Sequence, residues 1–398
     1  MKGLNNFLLV LTVFIIALTA IQRSACAESI KVGVILPLTG KLAKFGELEN
    51  KSFIMAVDEI NAAGGINGKK IELIIEDTTG KPDVGRSAIE KLISRDKVIL
   101  IGGGYSSSVT WASVAVAQQR KVPFLINTGS ADKITEQGWE YIFRLNPPVS
   151  EYPNGFASFV ENVAKIKTVA ILHENSLFGQ SGSKKFVKQC EKLGLKVILK
   201  EGYEAGAIDF KPLLVKVKVK KPDLVYMISY IMDAALLIRQ SKELNLNPRL
   251  FVGGAAGFTL PEFRKNAGDA TEYVYSATLW TPSVPYPGAK EYYAKFMAKY
   301  NTPTEYHGAE AYAGMYVIAD ALRRARSLTP KAVRDSLAET DMMTVFGPVK
   351  FISYGKKTQQ NRLPTFLVQW LNGKLETVWP EEVATAKYVY PVPKWNER

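Results

Sequence analysis

Cysteine and histidine are nearly absent from this 398-residue chain: Cys26 and Cys190 are the only thiols, and His173 and His307 the only imidazoles. Protein metal sites gather His, Cys and carboxylate ligands at characteristic spacings. Neither histidine has such neighbours, so both are read as structural polar groups and no metal site is expected. The sequence also lacks G-x-S-x-G, the turn that exposes a nucleophilic serine, and G-x-x-x-x-G-K-[ST], the loop that cradles nucleotide phosphates. Gly102-Gly103-Gly104 does not extend into the G-x-G-x-x-G of a dinucleotide site. No catalytic residue and no cofactor is expected, and the chain reads as a non-enzyme. Past Ile21 no apolar run approaches the roughly 20 residues that a membrane-spanning helix needs.

Acidic residues are also outnumbered, 38 Asp+Glu against 51 Lys+Arg, for a net charge of +13. Part of that surplus sits in an export signal. Lys2 opens a basic start, Phe7 to Ile21 is apolar apart from two threonines, and Ala25-Cys26-Ala27 supplies the small residues of a cleavage site. Residues 1–27 are therefore read as a cleavable signal peptide and the mature protein as exported. The minor alternative is a lipid anchor at Cys26, although Arg23 stands where a lipobox carries an apolar residue. Cleavage would remove Lys2 and Arg23 and leave Cys190 as the sole cysteine, unable to form an internal disulfide. Exported chains without disulfides need large cores. A composition of 47% hydrophobic and 22% charged residues fits globular cores, and the length fits two of them.

Apolar, β-branched runs alternate with helical patterns. Ile30–Pro37 reads as a buried strand, Glu47–Ala63 as a helix stopped by Gly64-Gly65, and Lys70–Asp77 as the next strand. The rhythm repeats through Asp83–Arg95, Val98–Gly102, Ser107–Gln119 and Val122–Asn127. A second series follows Pro147-Pro148 and runs to Thr278, and helices at Ala289–Tyr300, Glu310–Arg326 and Pro330–Glu339 precede a terminal hairpin around Asn372-Gly373. Strand–helix–strand repetition implies right-handed crossovers and doubly wound parallel sheets. The expected fold is α/β, with two such lobes joined by three hinge crossovers and facing each other across a cleft. Lobe 1 comprises 28–147 plus 279–348, and lobe 2 comprises 148–278 plus 349–398.

Ligands of open α/β sheets bind beyond the carboxyl ends of the strands. The loop Gly102 to Ser108 (GGGYSSS) opens a helix there: its glycines permit close backbone approach, while Ser106 and Ser107 offer hydroxyls at the positive end of the helix dipole, a setting that suits a carboxylate. Capping of the helix by one serine is the plainer alternative. The neighbouring loop, Asn127 to Asp132, brings Thr128, Gly129 and Ser130. Phe45 and Tyr105 from the first series, with Phe178 and Tyr230 from the second, add aromatic walls, so the cleft suits a small molecule with a carboxylate head and an apolar body.

The basic surplus raises nucleic acid or an anionic membrane as partners. Its distribution is scattered, however. The densest stretch, Lys211–Lys221, reads as one helix whose lysines are solvated while its leucines and valines face inward, and no nucleic-acid partner is expected.

Taken together, IKVGVILPLTG (30–40), DEINAAGGING (58–68), the serine loop, Val122–Thr135 and FGPVKF (346–351) resemble the type I periplasmic binding proteins, specifically the leucine/isoleucine/valine-binding class. The resemblance covers almost the whole mature chain. It implies a non-enzymatic, Venus-flytrap solute-binding protein of a branched-chain amino acid ABC transporter, delivering its solute to permease and ATPase subunits at the inner membrane, and acting as a monomer. Carried over by position, the carboxylate clamp falls on Ser106 with Gly129 and Ser130 or the adjacent Thr128, and Tyr230 matches an aromatic that lies against the ligand's amino group. The acidic partner of that ammonium should fall near Ala255, where this chain has none, and Asp233 is the nearest substitute. A branched-chain amino acid or relative is thus one reading, and an aromatic or aliphatic carboxylate or an amide without an ammonium is the other. A secreted sensory module for a membrane receptor and an exported enzyme on the same scaffold are the remaining classes.

Overall fold

The computed structural model describes residues 29–398. Residues 1–27, expected to be a signal peptide, and with them Cys26 lie outside the described residues, among which no helix is long and apolar enough to cross a membrane.

The first series supplies β1 (Ile30–Leu36), α1 (Ala43–Ala62), β2 (Ile71–Asp77), α2 (Pro82–Ser94), β3 (Leu100–Gly103), α3 (Ser107–Arg120), β4 (Phe124–Ile126) and β5 (Ile142–Arg144). The second supplies α4 (Asn154–Asn162), β6 (Thr168–Glu174), α5 (Leu177–Lys192), β7 (Lys196–Tyr203), α6 (Lys211–Lys220), β8 (Leu224–Ile228), α7 (Ile231–Glu243), β9 (Leu250–Gly253), α8 (Pro261–Ala267) and β10 (Tyr275–Thr278). Then come α9 (Ala289–Tyr300), α10 (Tyr306–Arg324), α11 (Pro330–Ala338), the small ribbon β11 (Asp341–Thr344) with β12 (Gly347–Lys350), and β13 (Ile352–Tyr354), β14 (Lys357–Gln360), β15 (Phe366–Leu371) and β16 (Lys374–Trp379).

Two seven-stranded sheets result, ordered β13-β14-β5-β4-β3-β1-β2 and β16-β15-β10-β9-β8-β6-β7. Their central strands are parallel: β1 lies between β2 and β3, with Val34 opposite both Ile75 and Gly102. Every residue of β1 except Lys31 is buried, as expected of a strand covered on both faces. The chain passes between the sheets three times, after Arg144, after Thr278 and between Gln360 and Phe366.

Three expectations need correction. Residues 349–360 were assigned to lobe 2, yet β13 and β14 close the edge of the first sheet. Gln360 pairs in parallel with Arg144 and accepts from its Nε at 2.5 Å, a polar contact that carries no hydrophobic signature in the sequence. Helices α1 and α10 each begin four residues before their apolar patterns suggest, at Ala43 and Tyr306. In α10 the cap is Glu305, whose carboxylate accepts from the His307 N–H at 3.2 Å, instead of the small polar residue that usually marks a helix start. On α6, Leu214 and Val217 face inward as expected, but Val215 and Val219 are exposed. Cys190 is fully buried, and burial pushes its thiol up to about 12, so it serves as a small core hydrophobe.

Candidate functional site

The serine loop follows β3 on two left-handed glycines. Gly103 has φ +96°, and a Cβ there would lie 2.5 Å from the Ile35 carbonyl oxygen, so only glycine fits. Ser106 occupies the N-cap position of α3 but makes no capping hydrogen bond, so capping does not account for it. Its side chain instead interacts with the phenol of Tyr230 from the other lobe. The Ser107 hydroxyl accepts from the N–H groups of Ser130 and Ala131 at 3.2 and 3.1 Å and ties the two loops together. Ser108 accepts from the Leu177 N–H at 3.3 Å, across to the second lobe.

The second loop is held from below by Arg144, which is fully buried. Its guanidinium donates to the carbonyls of Gly129 and Ala131 at 3.2 and 2.9 Å and to the Thr135 hydroxyl at 2.9 Å. Asn146 donates to the Thr128 carbonyl at 2.8 Å. The loop that presents Thr128, Gly129 and Ser130 is therefore a rigid surface.

The aromatic walls converge. Phe45 stacks on Tyr105 with ring centroids 4.7 Å apart, Tyr230 stands 6.0 Å from Phe45 and 6.1 Å from Tyr105, and Phe178 lies 5.7 Å from Tyr230. Ser176 caps α5 by accepting from the Phe178 and Gly179 N–H groups, which fixes Phe178 on the first turn. Ser106, Thr128, Tyr105 and Phe178 are nearly inaccessible and Tyr230 is half-buried, so the lobes are closed on one another.

The loop after β9 reaches the same place without the expected charge. Ala255 is buried with φ +67°, and Ala256 donates its N–H to the Tyr306 hydroxyl at 2.9 Å. A Cβ on Gly257 would lie 2.4 Å from the Tyr230 carbonyl carbon, so this loop sets the position of Tyr230. Asp233 does not join the aromatics. Both of its carboxylate oxygens accept from the Gly206 N–H at 3.0 Å, and burial raises its pKa above the ordinary value. It is a loop tie, which removes it as an ammonium partner.

Sequence reasoning missed six residues. Tyr152, on the first passage between sheets, lies 6.4 Å from Phe178. Tyr306 and His307, on the unexpected first turn of α10, sit against the cleft: His307 is 4.9 Å from Phe45 and 5.3 Å from Tyr105. Glu305 joins His307 at 2.6 Å and accepts from Thr259 of the other lobe at 3.2 Å. His307 is thus part of the aromatic wall and not merely a satisfied polar group; His173, bonded to the Glu174 carbonyl at 3.0 Å, fits the structural reading. The last two are Glu49 and Glu310, one turn beyond Phe45 and Tyr306 on their helices. Both are fully buried, and both contact the Thr128 hydroxyl. Core-facing positions of two helices read as hydrophobic periodicity, and no local signal marks such acids.

A hollow of about 470 Å3 lies elsewhere between the lobes, against Trp280, Tyr293 and Trp370, and none of Ser106, Thr128 or Tyr230 borders it. We place the site at the cleft because the hydroxyl loops, the strand ends and the aromatics of both lobes meet there.

Two parallel-sheet lobes with their loops closed over a shared cleft define a two-lobed binding protein. The family described as periplasmic binding protein matches residues 29–374, and this chain belongs to it. Leu/Ile/Val-binding protein homolog 7 from Brucella suis biovar 1 (strain 1330) is 30% identical over 399 residues, covering 94% of this chain and 97% of that one. Homolog 8 from Brucella melitensis biotype 1 is 29% identical over 386 residues, with 94% and 96% covered. The branched-chain amino acid transporter substrate binding protein LivJ from Streptococcus pneumoniae, solved in complex with isoleucine, is 27% identical with a TM-score of 0.81, covering 92% of this chain and 100% of that one. An ABC transporter solute binding protein from R. palustris, solved in complex with benzoate, shares the fold at 18% identity and a TM-score of 0.78, over 91% and 98%.

Proposed function

We propose that this chain is the extracytoplasmic solute-binding component of an ABC importer. It takes a small carboxylate-bearing solute, a branched-chain amino acid or a relative, by hinge closure of its lobes and presents it to permease and ATPase subunits as a monomer released from its signal peptide. The observation that carries this reading is the meeting of the hydroxyl loops of one lobe with the aromatic wall of the other where a solute would be held, with Tyr230 standing 6.0 Å from Phe45 and 6.1 Å from Tyr105 and the Leu177 N–H donating to Ser108 across the cleft at 3.3 Å. LivJ, solved with isoleucine, supports the branched-chain choice. A second reading, a carboxylate without an ammonium, is favoured by the methyl group of Ala255 and the engagement of Asp233 with Gly206.

Thermal-shift and calorimetric titration with leucine, isoleucine, valine and matched carboxylic acids tests the reading. At least one is expected to bind and to stabilise the protein. Ser106→Ala should weaken that binding by about 10- to 100-fold, the worth of one hydrogen bond to a charged group. Unchanged affinity in Ser106→Ala would contradict the assignment of the clamp.

A further inference from the structure

Glu49 and Glu310 are each one helical turn behind a cleft aromatic, and the Thr128 hydroxyl contacts a carboxyl oxygen of both. The same oxygen accepts from Asn127 Nδ2 at 2.9 Å. A hydroxyl has one proton to donate. It satisfies one carboxylate, so the second short contact requires that the other carboxyl be protonated and donate to Thr128. Counting hydrogen-bond protons thus gives a pair that shares one acid proton. Burial acts in the same direction, pushing Glu49 up to about 8 and raising Glu310, on which the charge of Glu49 also acts.

The surroundings of the pair are rich in acceptors. The second carboxyl oxygens of Glu49 and Glu310, the Oδ1 atoms of Asn127 and Asn146 and the Tyr105 hydroxyl are all buried, and no donor among the described residues reaches them. Both amides already spend their Nδ2 on Thr128, so their unpaired oxygens lie beside it. Buried acceptors without donors are costly and uncommon. Here several occur together, next to aromatic rings and the proposed clamp.

We propose that Glu49 and Glu310 are the counter-charge for an ammonium group on the solute, which they accept as the pair releases its shared proton to solvent. The inference rests on the solute-binding reading above and names the solute class: a zwitterion or other amine-bearing carboxylate, its charge met on the first lobe instead of near Ala255. An ammonium offers three donors to the unpaired oxygens and a cation to the faces of the nearby rings. Glu305 and the phenols of Tyr105, Tyr152 and Tyr306 lie within electrostatic reach of the pair, and His307 is bonded to Glu305.

Calorimetric titration of the wild-type protein at pH 7, in two buffers of different protonation enthalpy, reads the proton directly. Leucine and phenylalanine are the probes, against 4-methylpentanoate and 3-phenylpropanoate. About one proton should be released per bound amino acid and none per deaminated acid. Affinity for the amino acid should then rise roughly tenfold per unit between pH 6 and 7.5, because ionising the pair favours the bound state. The double variant Glu49→Gln, Glu310→Gln retains Glu305 and His307 but leaves no carboxyl in the pair to ionise. It should erase both the pH slope and the preference for the amino acid over its deaminated partner, on the order of 100-fold. If that variant does not fold, the wild-type proton count still decides. Amino-acid binding with no proton release, or tighter binding of the deaminated acids, overturns the counter-charge while leaving the solute-binding reading intact. Failure of every probe to bind overturns that reading and the inference with it.

Discussion

Replacing Arg144 with methionine is expected to destabilise the protein by about 3–5 kcal/mol and to abolish solute binding. The guanidinium is fully buried and donates to Gly129, Ala131, Thr135 and Gln360 at once. Methionine matches much of its length but donates nothing, so four buried acceptors lose a donor; Gln360 keeps Thr135 and the Ala131 carbonyl keeps the Ile134 N–H, while Gly129 and Thr135 are left without a replacement. Each unmet acceptor costs about 1–3 kcal/mol. The effect on function follows from the same contacts, because those carbonyls belong to the loop that presents Thr128 and Ser130, and Gln360 anchors the last strand of the first sheet. Urea denaturation and calorimetric titration measure the two effects. A loss below about 1 kcal/mol with binding intact would show that the loop does not depend on Arg144.

Gly257→Ala is the second large effect. The added methyl would fall 2.4 Å from the Tyr230 carbonyl carbon and 2.6 Å from the Ile231 nitrogen, backbone atoms that cannot turn aside as a flexible side chain would. Overpacking of this kind costs about 1–3 kcal/mol. The displaced element carries Tyr230, so a loss of affinity of tenfold or more should accompany it. Gly314→Ala is the matched control: its nearest neighbour would be 3.8 Å away, within helix α10. That change should be neutral or stabilising by up to about 1 kcal/mol. Equal affinities in the two variants would mean that the loop after β9 does not position Tyr230.

The two variants mark where the sequence was readable. Two α/β lobes follow from apolar strands alternating with helical patterns, and the serine loop and its neighbour follow from the rule that ligands meet strand ends. Phe45, Tyr105, Phe178 and Tyr230 could be named because each closes a loop after a strand. Glu49, Glu310, Tyr306 and His307 could not. They meet the others only because α1 packs on α10, a contact between residues more than 200 positions apart that no local pattern records. Their helices also begin without ordinary caps, so the first turns read as loop. Ala255 shows the converse. Position and chemistry were separable there: the loop arrives where an acid was sought, but it brings a methyl group and a backbone donor to Tyr306.

The most direct test is a crystal structure of the protein with the tightest-binding amino acid or carboxylic acid of the panel. The carboxylate is expected within hydrogen-bonding distance, roughly 3 Å, of Ser106 and the loop that bears Thr128 and Ser130, with the apolar body between Phe45, Tyr105 and Tyr230. A solute found in the hollow beside Trp280 and Trp370, or held by one lobe with Ser106 and Tyr230 far apart, would contradict the account.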